Sequence, residues 1–186
     1  VIKIFSQGEV ELTDRSLDLT IEGQGFFKVK DQNNGEFYTR NGAFTKNNNG
    51  EIVTTDGLIL DGAGTIPQDA KSITVGQDGT ISTIDGNNQA NVIGQIQIYT
   101  FPNPSGLSSR KGATLYEETP ASGAAVSSVA GENGVGAITS GMLELSNVQA
   151  VEEMVGMIKA QRAYELNSRS ITTADQMLQE INNLKR

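Results

Sequence analysis

The sequence predicts a β-rich fold: an antiparallel all-β domain followed by a long C-terminal α-helix of coiled-coil type. Three observations carry that prediction. Twenty of the 21 glycines lie before residue 146, and only Gly156 follows. Short runs of alternating apolar and polar residues, punctuated by Gly, Asn and Asp, fill the first part. From Met157 onward, apolar residues recur every seven positions. Glycine-rich turns between short alternating runs are the grammar of antiparallel strands, and a sustained seven-residue period is that of packed helices.

The strands follow in order. Leu17–Ile21 alternates, Gly23-Gln24-Gly25 interrupts, and Phe26–Lys30 resumes. Asn33-Asn34-Gly35 turns the chain into 36–40, and Asn41-Gly42 reads as a tight hairpin into 43–45, because both residues tolerate positive φ. Asn47–Gly50 and Asp56-Gly57 bracket Ile52–Thr54 and lead into Leu58–Leu60. Ser72–Val75, Thr80–Ile84 and one long strand over Val92–Phe101 complete the regular part. Residues 103–140 carry few large apolar groups, so long loops are expected there, with strands near 113–117 and 136–139 and composition compatible with disorder within 121–134. The implied organisation is a connecting segment over 1–16, the β-rich domain over 17–140 and the helical segment over 141–186.

Ser146 and Gln149 have the spacing of a capping box, which predicts a helix starting at Ser146. Glu152 and Glu153 near its start and Lys185 and Arg186 at its end suit the helix dipole. Met157, Tyr164, Ile171 and Leu178 occupy one seam position, and Ala160, Asn167, Ala174 and Ile181 the other. Val151, Met154, Val155 and Ile158 extend an apolar face toward the start. Two readings stay open: a coiled-coil seam that needs a second helix, or a surface helix folded back on the β domain, with Thr172-Thr173 as a break. The small residues and Asn167 on the seam favour close packing in a defined register.

Composition removes most chemistry. There is no Cys, hence no disulfide and no thiolate metal site, and no His, the commonest general base and neutral metal ligand. No catalytic residue, cofactor or metal site is predicted. Gly23-Gln24-Gly25-Phe26-Phe27 lacks the third glycine and following helix of a dinucleotide fingerprint, and reads as a turn between strands. Asp78-Gly79 and Asp85–Asn88 lack the bidentate acid of a calcium loop and read as hairpin turns. Glu117 and Glu118 are adjacent, so on a strand they face opposite ways and cannot converge on a glycosidic bond. The net charge of −8 lies wholly in residues 1–145, since five acids and five bases follow Ser146. An acidic surface without a basic cluster argues against nucleic acid as a partner. No apolar run approaches the roughly 20 residues of a membrane span.

Several segments carry a family likeness. They are Phe5–Gly8, Leu17–Phe27, Tyr38–Phe44, Gly50–Thr54, Phe101–Leu107, Ala121–Gly123, Ser146–Val148, Glu152–Val155, Gln161–Ser168 and Thr173–Leu178. Together they resemble the bacterial flagellar axial proteins of rod and hook, and within them the distal-rod branch. That resemblance implies a structural subunit with no small-molecule substrate, self-assembling as a helical homopolymer beside neighbouring rod and hook proteins. It implies export by the flagellar type III apparatus into the basal body, and a hollow drive shaft that transmits torque from motor to hook. The family's N-terminal helix, which pairs with the C-terminal one, would precede Phe5, so the seam is expected to lack its partner in this sequence. The candidate assembly contacts are Val151, Val155, Ile158, Tyr164, Asn167, Ile171, Ala174, Leu178 and Ile181. Within the family the alternatives are a proximal rod or hook subunit. Outside it stands a secreted carbohydrate-binding or carbohydrate-degrading β domain, which the absence of Trp and the four Tyr make hard to build.

Overall fold

The computed structural model describes residues 5–31, 33, 35–86, 89–110, 114–132, 134–148 and 150–184, with the backbone alone at 150, 152, 181, 182 and 184. The chain divides into two compact units, Val1–Asn147 and Val148–Arg186.

The first unit is antiparallel β throughout its described pairings. Its strands are β1 (Val10–Leu12), β2 (Leu19–Glu22), β3 (Phe26–Lys30), β4 (Glu36–Thr39), β5 (Phe44–Lys46), β6 (Ile52–Thr54), β7 (Ile59–Leu60) and β8 (Ser72–Val75). There follow β9 (Thr80–Ile84), β10 (Ala90–Gln95), β11 (Gln97–Thr100), β12 (Ser108–Arg110), β13 (Leu115–Glu117), β14 (Val126–Val129), β15 (Ala137–Ser140) and β16 (Met142–Glu144). The main sheet runs β12–β13–β4–β3–β7–β6–β5, with β11 joining it against β3 and carrying β14 on its other edge. A three-stranded sheet has the order β10–β9–β8, and β15–β2 and β1–β16 form two ribbons.

Turn chemistry explains the hairpins. Asp56-Gly57 closes β6 onto β7, with Gly57 at φ +83° and the Thr54 amide donating to Leu58 O. Asn47–Gly50 closes β5 onto β6 in the same manner, with the Asn47 side-chain oxygen accepting from the Asn49 and Glu51 amides. Asp78-Gly79 turns β8 into β9, and the Asp78 carboxylate accepts from the Thr80 amide and hydroxyl. Those bonds hold the Asp78 carboxyl below its ordinary value, the Thr80 hydroxyl contributing most.

Asn41-Gly42 behaves differently from its sequence reading. β4 and β5 do not pair, and Gly42 instead runs beside Leu19, whose amide donates to Gly42 O. A Cβ on Gly42 would overlap the Leu19 carbonyl, so this glycine serves a close backbone approach rather than a hairpin turn. The expected strand over Val92–Phe101 is two strands. The chain leaves the three-stranded sheet after Gln95 and enters the main sheet at Gln97. Between them Ile96 is fully buried, with its amide donating to Gly79 O. Within 121–134 the described residues are ordered by β14, paired along its length with β11, and by the buried Ser122 and Ala130.

The core explains why β3 is apolar at consecutive positions. Phe27 and Val29 enter the main core with Leu19, Ile21, Phe44, Ile52, Ile81, Ile98 and Ile138. Phe26, on the opposite face, joins Tyr38, Phe101 and Leu107, and Phe5 covers them edge-on to Phe26 and Tyr116. Phe26 is covered on its own face as Phe27 and Val29 are on theirs, while Lys28 and Lys30 keep the polar alternation further along β3. Burial pushes the Tyr38 hydroxyl up to about 12 and raises those of Tyr99 and Tyr116.

The second unit is one helix, α1 (Ala150–Leu184), of 35 residues and about 52 Å at 1.5 Å per residue. It starts four residues after the Ser146 expected to cap it, and Gln149, the other half of that box, lies outside the described residues. The preceding stretch is non-helical and is tied to the chain before β1. The Leu145 amide donates to Glu9 O, and the Asn147 side-chain amide donates to the backbone and hydroxyl oxygens of Ser6. Thr172 and Thr173 do not break α1, and both hydroxyls donate back to Arg169 O within the helix.

Candidate assembly surface

The expected contact residues all lie on α1, and their side chains are exposed where described. Val151 is 73 % and Tyr164 78 % accessible, and Val155, Ile158, Asn167, Ile171, Ala174 and Leu178 are likewise exposed. The side chain of Ile181 lies outside the described residues. So many exposed large apolar groups on one helix mark a candidate interaction surface.

Helical geometry separates these residues into two sets. At about 100° per residue, the seam from Met157 through Tyr164, Asn167, Ile171, Ala174 and Leu178 forms one stripe. Val151, Met154, Val155 and Ile158 follow the i, i+3, i+4, i+7 pattern, but their mean direction lies about 170° from that stripe. In the heptad frame the seam continues N-terminally through Ala150 and Glu153, not through Val151. The two groups joined in one sequence-based surface therefore occupy opposite sides of α1. The signal was present in the spacing, because the seven-residue apolar period does not extend backward from Met157 through Val151.

Arg162 and Arg169, seven residues apart, lie on the flank that continues the Val151–Ile158 side, with Glu165 between them. They are fully on the helix surface, with Lys159 nearby.

In the first unit a cleft of ≈ 350 Å³ is lined by Phe5, Gln24, Phe26, Arg40, Phe101 and Pro104 among others. Its one charged wall is committed elsewhere. Arg40 donates from Nε and Nη2 to Glu144, from Nη1 to Gly23 O and Gly25 O, and from Nη2 to Ile21 O. These use all five guanidinium N–H groups, leaving none for an anionic ligand. Among the described residues, no group of three or more Asp or Glu is placed to hold a metal ion, and no helix is long and apolar enough to cross a membrane.

Comparison with known proteins agrees with an assembly role. Residues 20–83 match the family described as the flagellar hook protein FlgE/F/G D1 domain, and residues 139–184 match the flagellar basal body rod FlgEFG protein C-terminal family. The chain is 45% identical to the flagellar basal-body rod protein FlgG of Buchnera aphidicola subsp. Schizaphis graminum, over 98% of this chain and 70% of that protein. It is 44% identical to FlgG of Caulobacter vibrioides, over 100% of this chain and 71% of that protein. Similarity to the hook protein FlgE of Salmonella typhimurium, 41% identical, spans 64% of this chain and only 29% of that protein. Near-complete alignment with one group and partial alignment with the other separates rod from hook: the chain belongs to the FlgG family of flagellar basal-body rod proteins.

Proposed function

We propose that this chain is a distal-rod subunit whose role is mechanical: it polymerises helically with itself, adjoins the neighbouring rod and hook proteins, and catalyses no reaction. The observation that carries this reading is α1, a 35-residue helix with its large described apolar side chains in water. Head-to-tail repetition of one contact generates a helical filament without further information in the chain. The seam of Tyr164, Asn167, Ile171, Ala174, Leu178 and Ile181 is the surface assigned to helix–helix packing, where small Ala174 permits close approach and Asn167 sets register. Close packing along such a seam resists sliding and rotation, which is what a shaft that carries torque through the periplasm requires. Export by the flagellar type III apparatus follows from the same role, because subunits must reach the growing tip.

Electron microscopy of basal bodies from a strain lacking this gene tests the assignment. Rods that stop short, with no hook, are the expected result. Complete rods lacking only the hook would reassign the chain to the hook. Complementation with Ile171→Asp or Leu178→Asp tests the seam: no completed rod is expected, while circular dichroism of the purified variant keeps its β signal. A variant that completes the rod would remove the seam from the assembly surface.

A further inference from the structure

Asparagine precedes glycine at 34–35, 41–42, 49–50 and 133–134, and of these pairs 41–42 and 49–50 lie wholly among the described residues. Such a pair carries a latent reaction. The glycine nitrogen, with no Cβ beside it to obstruct the approach, can attack the side-chain carboxamide of the preceding asparagine. A folded chain permits this where water reaches the carboxamide, the glycine N–H is not tied up, and Cγ is kept near that nitrogen.

Asn41-Gly42 meets these conditions. Asn41 is exposed. Its Oδ1 accepts from the Ala43 amide at 3.1 Å, which folds the carboxamide back over the Gly42 peptide. The Gly42 amide donates to no described residue. Leu19 holds Gly42 by other atoms: the Leu19 amide donates to Gly42 O, and the Leu19 carbonyl lies where a Cβ would stand. Asn49-Gly50 is the contrast within the same domain. Asn49 is exposed as well, but the Gly50 amide donates to Asn47 O at 3.1 Å, and the Asn49 amide donates to the Asn47 side chain. The Gly50 carbonyl in turn accepts from the Ile66 amide at 2.7 Å. Attack at Asn49 must first break the bond that occupies its nucleophile.

We propose that Asn41 is a site of spontaneous deamidation, set by the fold to react ahead of Asn49. Solvent base takes the Gly42 N–H proton, the nitrogen bonds to Asn41 Cγ, and the Cγ–Nδ2 bond breaks as ammonia leaves with a proton from water. The Ala43 N–H already on Oδ1 stabilises the negative charge that gathers there at the tetrahedral stage. Water then opens the cyclic imide at either carbonyl, leaving aspartate or isoaspartate at 41. Both products place a new carboxylate next to Arg40, whose guanidinium is engaged with Glu144 and three backbone carbonyls. Isoaspartate also adds a methylene to the main chain where Gly42 lies against Leu19. The reaction consumes only water and needs no second copy of the chain.

The purified full chain, aged folded in neutral buffer made with heavy-oxygen water, tests this. Acid formed during ageing carries the label, and acid formed afterwards does not. Pepsin digestion in acid halts imide formation, and mass spectrometry reads both positions. Labelled acid is expected at 41 about fivefold faster than at 49, the factor that one net hydrogen bond at Gly50 represents. Aspartate and isoaspartate are both expected at 41. The chain aged unfolded in urea is expected to lose the preference, because neither glycine amide is then bonded. Asn41→Gln, whose longer side chain closes only a slower, larger ring, is expected to stay unlabelled at 41 with 49 unchanged. The proposal is overturned if 49 matches or leads 41 in the folded chain, or if 41 stays unlabelled there. A preference that survives in urea overturns it as well, since neighbours in sequence rather than the fold would then set the order. Aspartate alone at 41 also overturns it, because direct hydrolysis of the amide bypasses Gly42.

Discussion

Arg40 Nη2 lies 2.9 Å from Glu144 Oε2, joining residues 104 positions apart with side chains only 14% and 10% exposed. Glu144 also accepts from the Gly8 amide, so one carboxylate ties the end of β16 both to the chain before β1 and to the main sheet. Arg40→Ala leaves that carboxylate buried without its partner, which costs about 3–5 kcal/mol for a buried pair. Chemical denaturation of the variant should show this loss in its midpoint. Arg40→Lys should recover little, because an ammonium cannot reproduce a planar fork whose five N–H groups are all engaged.

Gly42→Ala and Gly86→Ala separate close approach from mere glycine content. A Cβ at 42 collides with the Leu19 carbonyl, a backbone atom that cannot turn aside, whereas nothing lies within 4 Å of a Cβ at 86. Overpacking of this kind costs about 1–3 kcal/mol. Thermal melts should place Gly42→Ala well below the parent and Gly86→Ala within about 0.5 kcal/mol of it.

Tyr38 makes the first unit sensitive to alkali. Its folded hydroxyl titrates at about 12 against an ordinary 10.0, chiefly through burial, with Glu36 and Glu118 adding to the effect. The folded state therefore holds its proton more tightly than the unfolded state between those values. The resulting stability is complete below pH 10 and is lost as pH rises toward 12. Unfolding midpoints measured across this range should fall, and Tyr38→Phe should flatten the slope.

Gly156 lies within α1, and nothing stands within 4 Å of the place a Cβ would take there. Gly156→Ala should favour the helix by about 0.8–1 kcal/mol. Far-ultraviolet circular dichroism on heating should show helical signal retained to higher temperature, with the β unit unaffected.

Much of the fold was legible because local chemistry agreed with the tertiary outcome. β3, β6, β8 and β9 fall where alternation and turn residues put them. β12 (Ser-Ser-Arg) and β14 (Val-Ser-Ser-Val) escaped notice because their pattern carries no period, and they are strands through their partners β13 and β11. β1 was hidden for a related reason: fully exposed, it has no buried face to imprint alternation on its residues. Residues 142–144, grouped by sequence with the helical segment, form β16 because β1 lies beside them. Asn41-Gly42 misled because glycine serves two purposes, left-handed turns and absent side chains, and dipeptide identity does not distinguish them. On α1 the composition was clear, whereas assignment of its residues to sides required the angular arithmetic of the helix.

The pairing of β1 with β16 brings Ser6 and Asn147 within hydrogen-bonding distance, although 141 positions separate them. The β unit is therefore a detour that returns the chain to where it left. Loops between β2 and β15 can lengthen or shorten while β1 and β16 keep that spacing. Variation confined to those loops therefore leaves unchanged the point where the chain enters and leaves the β unit.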